Sequence, residues 1–253
     1  MKLLNILHLS DLHFSKEKEN DILIVKEALL KDLKELKRTE GFSPDIVLFT
    51  GDLVQAGDDD EFKYAYKFLF EPLLKEIELD RDFLVITPGN HDIQRDDIDE
   101  IVEKGLASSL VDKPSLNKFL DKNLAKDFYF SRLEKFNKFK NGINSKFCSN
   151  NNILYSSYIF NIKGKVIGVS NLNSAWRATG KPNDQDYGKL LIGERQIDCS
   201  LKSIQNTDIK IAIAHHPVNS LSEFERLDLK RTLLSKFDFL FLLRNVGRIG
   251  VRY

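Results

Sequence analysis

The stretch Phe83-Leu84-Val85-Ile86-Thr87-Pro88-Gly89-Asn90-His91-Asp92 runs directly from an apolar segment into a polar motif. The apolar run Phe83–Ile86 predicts a buried β-strand, because such strands occur as short apolar segments bounded by Gly and Pro. The motif Gly89–Asp92 then lies just past the end of that strand. A single histidine in such a place is more often a hydrogen-bonded structural residue than a metal ligand, so this segment has to be judged together with the rest of the chain.

Three other places repeat this arrangement of an apolar run followed by Asp or His. The apolar runs are Leu3–Leu9, Asp45–Phe49 and Ile209–Ala214. The polar motifs that follow them are Ser10-Asp11-Leu12-His13, Thr50-Gly51-Asp52 and His215-His216-Pro217. Each motif is weak evidence alone, since D-x-H and G-D occur by chance in many proteins. Their common position at strand ends predicts that the fold gathers them into one site.

Helical segments separate the first three predicted strands. Asn20 is expected to cap a helix that continues to about Lys37, where apolar residues recur at helical spacing. A second helix is predicted from about Asp59 to Ile77. The resulting β-α-β-α-β order predicts parallel strands joined by right-handed crossovers. The polar motifs then fall at the carboxyl ends of neighbouring strands, where open α/β sheets bind their ligands.

The pattern changes over residues 94–152, where charged residues are dense and strand-like runs are absent. We interpret this stretch as an inserted helical cap, with helices at about Asp97–Lys104 and Ser115–Lys140. Its phenylalanines are predicted to pack in the core of the cap rather than to line a substrate cleft. These residues are Phe119, Phe128, Phe130, Phe136 and Phe139.

Strand signals return after the cap. The predicted elements are strands Tyr155–Ile162 and Lys165–Asn171 with a turn at Lys163-Gly164, a helix at Gly193–Ile204, and strands Ile209–Ala214 and Phe237–Leu243. The whole chain, residues 1–253, is therefore expected to form one α/β domain that contains the cap as an insertion.

The composition is that of a globular chain without a dominant charge. Of 253 residues, 38 are Lys or Arg and 38 are Asp or Glu, so the formal net charge is zero. A general electrostatic attraction to nucleic acid or membrane therefore has no support, although a local basic patch is compatible with these numbers. Cys148 and Cys199 lack CxxC spacing and are expected to be reduced thiols. The N-terminus lacks the apolar core of a signal peptide, and no apolar run reaches about 18 residues, so we expect a cytoplasmic protein without a membrane span.

The polar motifs combine carboxylate, imidazole and amide donors. This mixture suits divalent ions such as Mn, Fe, Co or Zn better than Mg or Ca, which prefer oxygen ligands alone. Asp11 and His13 are separated by one residue, so in an extended segment both side chains point the same way and reach one ion. Gly51 lets the backbone turn tightly beside Asp52, whose carboxylate could bridge two cations.

The order D-x-H, G-D, G-N-H-D and a late H before x-P resembles the calcineurin-like metallophosphoesterase family, and the likeness extends from Leu3 to about Leu242. Later segments are also similar to bacterial members of that family; they are Asn173–Trp176, Asp186–Gly188 and Gly193–Gln196. The resemblance implies a two-sheet α/β sandwich flanked by helices, with a centre for two divalent metal ions. It also implies a phosphoester substrate, either a small molecule or a nucleic acid, with a diester favoured over a monoester.

The resemblance further assigns metal ligands by position. Asp11 and His13 would hold the first metal ion, and Asp52 would bridge it to the second. Asn90 and His215 would complete the second site, because the family ligand is the histidine two residues before the proline. These assignments follow from the order of the motifs.

The same resemblance gives His91 and Asp92 a catalytic role. His91 would face the scissile phosphate and protonate the leaving group or stabilise its developing charge, and Asp92 would orient the imidazole ring. The nucleophile implied by the resemblance is a metal-bridging hydroxide, whose pKa the two cations lower.

Other residues near these motifs have a structural interpretation as well as a functional one. His8 lies inside the first strand and is expected to be a hydrogen-bonded core residue, and Trp176 is expected to be packed. Asn171 and Asn173 alternate near a strand end, and we expect them to serve the fold rather than to bind phosphate. For His216, a role supporting the metal ligands and a place facing the cleft remain equally open.

The family pattern continues with one further motif, G-H-x-H, which supplies a histidine to each metal. No histidine follows His216 in this sequence, which ends at Tyr253. On this basis we expect an incomplete second sheet, weak metal binding and low turnover for this sequence. Two alternatives to a phosphodiesterase stay open: a degenerate metal-binding module or subunit completed by another chain, and a nuclease.

Overall fold

Two β-sheets pack against each other in the computed structural model, which describes residues 3–123, 127–144, 146–180 and 183–242. The first sheet has the order β1-β2-β3 and is parallel; its strands are β1 Ile6–Leu9, β2 Ile46–Thr50 and β3 Leu84–Thr87. The second follows chain order; its strands are β4 Cys148–Asn151, β5 Tyr155–Ile162, β6 Lys165–Leu172, β7 Ile209–Ala214 and β8 Phe239–Leu242. Strands β4 to β6 are antiparallel neighbours, whereas β6, β7 and β8 run parallel.

Helices connect the strands and cover the sheets. They are α1 Glu19–Glu40, α2 Asp59–Ala65, α3 Glu71–Glu76, α4 Glu100–Ser109, α5 Lys113–Asn123, α6 Glu134–Ile143, α7 Asn183–Asp186, α8 Glu194–Ser203 and α9 Glu223–Lys236. A π-helical segment, Tyr66–Phe70, joins α2 to α3, and a 3-10 helix, Asp127–Leu133, precedes α6. None of the helices in the described ranges is both long and apolar enough to cross a lipid bilayer.

The side chains of β2 alternate between two apolar layers, because successive residues of a strand point to opposite faces. Ile46 and Leu48 pack between the sheets, whereas Val47 and Phe49 pack on the helical side. Every residue of β2 is buried, which explains why this strand reads as an unbroken apolar run in the sequence. The buried strand thereby fixes the place where Gly51-Asp52 emerges at its carboxyl end.

The alternation predicted from the sequence is confirmed for the first sheet. Its strands are parallel, helices α1 to α3 lie in the connections, and three polar motifs follow the carboxyl ends of neighbouring strands. The predicted turn between β5 and β6 is also confirmed. Lys163 and Gly164 have φ values of 52° and 85°, the left-handed pair that suits a two-residue hairpin.

The cap differs from its prediction in two respects. Its last residues form β4, which pairs with β5 although the stretch was predicted to lack strands. This strand is polar, Cys148-Ser149-Asn150-Asn151, and half-exposed at a sheet edge, so it carries no apolar signal. The helix predicted over Ser115–Lys140 is divided into α5, a 3-10 helix and α6. The proposed boundaries of the cap, residues 94–152, stay a prediction.

Among the described aromatic side chains of the cap, Phe119, Phe130 and Phe136 pack as expected, whereas Phe139 is only half-buried and borders a cavity. Phe130 and Phe136 are buried, Phe119 stacks on Trp176 with ring centroids 6.1 Å apart, and Phe139 stacks on Phe62 at 4.9 Å. The side chain of Phe128 lies outside the described residues. The cap therefore shares its core with the helices that flank both sheets.

Two expectations for the N-terminal third were wrong. Asn20 does not cap α1, because the helix already begins at Glu19 and Lys18 occupies the cap position without a side-chain hydrogen bond. His8 is hydrogen-bonded as expected, with Nε2 2.8 Å from Thr50 Oγ1, but it is not a core residue. Its side chain is exposed on β1, an edge strand of its sheet.

Candidate metal centre

Hydrogen bonds between the loops that follow β1 and β2 hold the first two motifs together. The amide of Asp11 donates to Gly51 O over 3.0 Å, and the amide of His13 donates to Asp52 O over 2.9 Å. Asp11, His13 and Asp52 have φ values of 59°, 48° and 56°. Left-handed backbone is uncommon for residues with a Cβ and persists where surrounding structure enforces it, often at functional sites.

This geometry corrects the argument that placed Asp11 and His13 on one ion. Alternation would require an extended segment, whereas both residues adopt left-handed backbone because their amides bond to the neighbouring loop. The two side chains still converge, with His13 Nε2 3.8 Å from Asp11 Oδ1. The loop pairing brings them together, and strand alternation does not.

Two glycines allow the backbones to approach this closely. Gly51 has a φ of 90°, and a Cβ there would lie 2.6 Å from His215 Nδ1 and 2.7 Å from the amide of Gly89. A Cβ at Gly89 would collide with the carboxylate of Asp52. The expectation that Gly51 permits a tight passage beside the site is therefore confirmed, and Gly89 has the same role.

Asp52 lies at the middle of the gathered side chains. It is 3% exposed, and its Oδ1 accepts a hydrogen bond from the amide of His91 over 2.8 Å. Its Oδ2 lies 3.6 Å from His13 Nε2 and 3.4 Å from His215 Nε2. Burial disfavours the carboxylate, but its contacts with His215 and with the His91 amide outweigh this and lower the pKa of Asp52. The centre thus holds a buried, ionised carboxylate among imidazoles.

His215 is held in the orientation of a metal-binding histidine. Its Nδ1 lies 2.6 Å from Thr50 O, to which it donates, so that Nε2 is directed towards Asp52. Metal-bound histidines commonly donate their second ring nitrogen to a backbone carbonyl in this way. In the absence of an ion, burial alone would lower the pKa of His215, but the contacts with Asp52 raise it to about 9.

The donor atoms form two groups that share Asp52. One group contains Asp11, Asp52 and His215, and the other contains His13, Asp52 and His91; within each group the donor atoms lie within 4.8 Å of one another. Two ligand atoms that each lie about 2.1 Å from the same ion are roughly 3–3.5 Å apart. The distances from Asp52 Oδ2 to His215 Nε2, 3.4 Å, and to His13 Nε2, 3.6 Å, are close to this value. The mixed nitrogen and oxygen donors and their spacing therefore fit divalent metal ions.

Asn90 and His216 form a pair beside these groups. Both are buried, and His216 Nε2 lies 3.1 Å from Asn90 Oδ1. The other ring nitrogen of His216 lies 2.8 Å from Ser174 Oγ, and Ser174 Oγ also accepts from the His216 amide over 3.0 Å. Burial lowers the pKa of His216 well below its ordinary value. Of the two interpretations left open for His216, the structure favours the supporting one, a neutral ring that holds the side chain of Asn90.

Asp92 binds the backbone of the site. Its Oδ1 accepts from the amide of Val54 over 3.0 Å and its Oδ2 from the amide of Gly89 over 2.9 Å. Burial, together with the neighbouring charge of Asp52, raises the pKa of Asp92 to about 7. Asp92 thereby ties the loop after β3 to the loop after β2, and its catalytic role stays a prediction.

The ring of His91 is contacted by two residues that sequence reasoning did not identify. Gln55 Nε2 lies 3.1 Å and Arg95 Nη2 3.0 Å from His91 Nδ1. Gln55 follows the G-D motif by three residues and Arg95 follows His91 by four, and neither spacing is a recognised signal. Both contacts depend on how the loops cross, which no local pattern encodes.

The remaining residues near the motifs serve the fold, as expected. Asn171 donates to Ile86 O over 2.8 Å and also bonds to Thr87 Oγ1, so it links β6 to β3. Asn173 accepts from the amide of Ala175 over 2.8 Å. Trp176 is fully buried, which confirms the packed interpretation.

Comparison with known proteins agrees with this geometry. A sequence model of the calcineurin-like phosphoesterase family matches residues 4–244. The chain is also similar to the uncharacterized metallophosphoesterase-like protein YydB of Bacillus subtilis (strain 168), with 25% identity over 251 residues, covering 95% of this chain and 48% of the relative. The chain thus spans about half the length of that curated relative. Because the family match covers nearly every described residue and its motifs meet around Asp52, the chain belongs to the calcineurin-like phosphoesterase family.

Proposed function

We propose that this protein hydrolyses phosphodiesters with the help of two divalent metal ions. The observation that supports the proposal is the pair of His/Asp groups that share the buried carboxylate of Asp52. A shared carboxylate lets two cations lie close enough to contact both oxygens of an in-line phosphoryl displacement.

The residues proposed to hold the ions are the strand-end donors. By the order of the family motifs, Asp11 and His13 would serve one ion, Asn90 and His215 the other, and Asp52 both. This division differs from the two donor groups in the structure, where Asp11 lies with His215 and His13 with His91. When bound, the ions would neutralise phosphate charge and lower the pKa of water at the centre. The chain supplies the positions of these donors: Thr50 O fixes the ring of His215, and the paired loops fix Asp11 and His13.

His91 is proposed to act on the leaving group. Its Nδ1 contacts Gln55 and Arg95, while its ring packs edge-on against the ring of His13 with centroids 4.6 Å apart. Nδ1 also lies 3.2 Å from Gln55 O, so it has an acceptor as well as donors beside it, and Nε2 is the ring nitrogen left for an oxygen of the substrate. A proton held there can pass to the departing alkoxide. Asp92 supports this role by fixing the loop that carries His91.

The proposal predicts Mn-dependent hydrolysis of a chromogenic diester that is lost in Asp52→Asn. Asp32→Asn is the matched control, because Asp32 is exposed on α1 and remote from the motifs in the chain. Calorimetric titration with Mn²⁺ would accompany the assay. Metal binding without turnover in wild type would instead support the metal-binding module, and neither binding nor turnover would refute the metal centre.

A second assay separates the substrate classes. Hydrolysis of single-stranded DNA or RNA at rates well above those for small diesters would favour the nuclease alternative. Preference for small diesters over monoesters would support the proposal as stated.

A further inference from the structure

A cavity of about 300 Å³ lies between the α2–π segment and the C-terminal half of α6, apart from the metal centre. We call it the α2–α6 cavity. Its walls come from Asp59–Lys67 on one side and from Lys138–Ile143 on the other, with Arg81 at its rim. Its volume is at the lower end of the range for small-molecule sites. None of the candidate metal ligands lines it.

Aromatic rings form the apolar part of this cavity. Phe62 and Phe139 are stacked with centroids 4.9 Å apart and an interplanar angle of 17°. Tyr66 lies edge-on to Phe139 at 6.4 Å. Tyr66 and Phe139 are only half-buried and line the cavity, so apolar ring surface borders its open space. A planar aromatic group would gain stacking contacts there.

Cations dominate the charged part of the lining. It contains four basic side chains, Lys63, Lys67, Arg81 and Lys138, against one carboxylate, Asp59. Lys63 is paired with Asp60 at 3.0 Å, and Lys138 lies 4.0 Å from Asp59. Within the described part of the chain, neither Lys67 nor Arg81 has a carboxylate within 4.0 Å. Arg81 contacts the hydroxyl of Tyr66, so both cations lie in the cavity wall without a carboxylate to neutralise them.

Two backbone features border the same cavity. The π-helical segment begins at Tyr66 and includes Lys67, and such segments are rare and frequently found at functional sites. Gly142 lies in the last turn of α6, one residue before the helix ends at Ile143. A Cβ at Gly142 would meet nothing within 4 Å, so packing does not require glycine there. The absence of a side chain keeps the cavity open.

We propose that the α2–α6 cavity binds a planar aromatic phosphate, a nucleoside monophosphate in chemical class. The base would pack against Tyr66 and Phe139, and the phosphate would pair with Lys67 and Arg81. The inference goes beyond phosphodiester hydrolysis and does not depend on it, because the cavity and the metal centre share no residue.

The test is calorimetric titration of the full chain with AMP in the presence of EDTA, which removes metal-dependent binding. Adenosine and inorganic phosphate are titrated in parallel. We expect AMP to bind at least tenfold more tightly than either fragment, because only AMP uses both the aromatic surface and the cations. Equal binding of phosphate or adenosine would overturn the proposed ligand class, and no AMP binding would overturn the site.

Two variants locate the binding. Gly142→Leu fills the cavity without altering charge and is expected to weaken AMP binding at least tenfold, whereas Gly105→Leu, at an equally open helical glycine of α4, leaves it unchanged. Arg81→Glu is expected to weaken it by a similar factor, and Lys34→Glu on exposed α1 is its charge-matched control. Circular dichroism confirms that each variant is folded. AMP binding that survives both Gly142→Leu and Arg81→Glu would place the nucleotide elsewhere and overturn the proposal.

Discussion

Lys140 carries a buried amino group on α6. The residue is 6% exposed, and its Nζ makes a long hydrogen bond to Asn152 O at 3.4 Å. Burial lowers the pKa of Lys140 from 10.5 to about 8. The unfolded chain therefore binds a proton more tightly than the native protein does, and this group destabilises the native state whenever the unfolded chain is protonated.

Replacing Lys140 by Met is expected to stabilise the protein at pH 7 by about 1–3 kcal/mol, since a pKa difference of one unit corresponds to about 1.4 kcal/mol. The free-energy penalty for burying the Lys140 amino group is fully present below pH 8 and fades as pH rises to 10.5. The gain in free energy of unfolding from Lys140→Met should therefore shrink over that window. Urea unfolding at pH 7 and pH 10 measures both values. Lys138→Met, at an exposed position of the same helix, should show neither effect; an advantage independent of pH would contradict the explanation.

Gly89 tests the close approach that the metal centre needs. A Cβ at this position would collide with the Asp52 carboxylate and lie 2.5 Å from the Asp52 amide, and backbone there cannot yield without moving the loop. Gly89→Ala is therefore expected to reduce Mn²⁺ affinity at least tenfold. Gly105→Ala is the control, since a Cβ there meets nothing within 4 Å. Unchanged Mn²⁺ affinity in Gly89→Ala, measured by calorimetry, would show that the loop spacing is not needed.

At the scale of single residues, the sequence predicted which side chains meet and missed how they are held. Asp11, His13, Asp52 and His215 converge because all follow strands whose carboxyl ends lie together. The left-handed backbone of the first three arises from hydrogen bonds between loops far apart in the chain, so no local pattern indicates it. Long-range contacts of this kind appear only after the fold is formed.

Helices α8 and α9 are joined by one buried carboxylate. Glu225, near the start of α9, accepts from the amide of Ile192 over 2.8 Å and from that of Gly193 over 2.9 Å. Gly193 is the residue before α8, so Glu225 satisfies backbone donors at the start of that helix. The carboxylate is 2% exposed, and water cannot replace it readily.

Removal of this carboxylate is expected to be costly. Glu225→Ala should lower the free energy of unfolding by about 2–4 kcal/mol, because two buried amides lose their acceptors. Glu225→Gln retains one acceptor oxygen and should lose less. Glu223→Ala, at the exposed first residue of the same helix, should change stability by less than about 0.5 kcal/mol. Equal losses in the Ala and Gln variants, measured by urea unfolding, would show that the two hydrogen bonds are not the cause.

The same helices show why some elements escape sequence analysis. In α9 the buried residues Glu225, Leu229 and Leu233 form a stripe one residue wide, and the exposed Leu227 and Leu234 blur it, so no clear helical period is visible.

The π-helical segment before α3, by contrast, has a signal in the sequence. Pro72 lies at the start of α3, and a proline cannot donate to the carbonyl four residues earlier and clashes with it, which disturbs a continuous α-helix.

Across the whole molecule, the order of apolar runs predicted the first sheet because parallel β-α-β units leave a strong local pattern. The polar strand β4 left none, since its pairing to β5 rests on backbone hydrogen bonds at an edge. Asn171, which bonds across from β6 to β3, joins the two sheets beneath the metal centre. The site therefore depends on both sheets remaining in contact.

This dependence would couple the proposed metal binding to folding. The donors come from chain positions between Asp11 and His215, so only the native state can bring them together around an ion. A ligand that binds only the native state, at about 100 times its dissociation constant, stabilises it by about 2.7 kcal/mol. For a chain of this size that corresponds to a rise in Tm of about 5–10 °C.

Calorimetric melting should show this rise with Mn²⁺ and a smaller one with Mg²⁺, because the imidazole donors favour the softer ion. Asp52→Asn removes the shared carboxylate and should abolish most of the Mn²⁺-dependent rise. Asp59→Asn, in the acidic first turn of α2, should keep it, since negative charge there serves the helix N-terminus. If Mn²⁺ raises the Tm equally in wild type and Asp52→Asn, the ion binds elsewhere on the chain, and the strand-end residues would have to be understood as a structural network of buried hydrogen bonds.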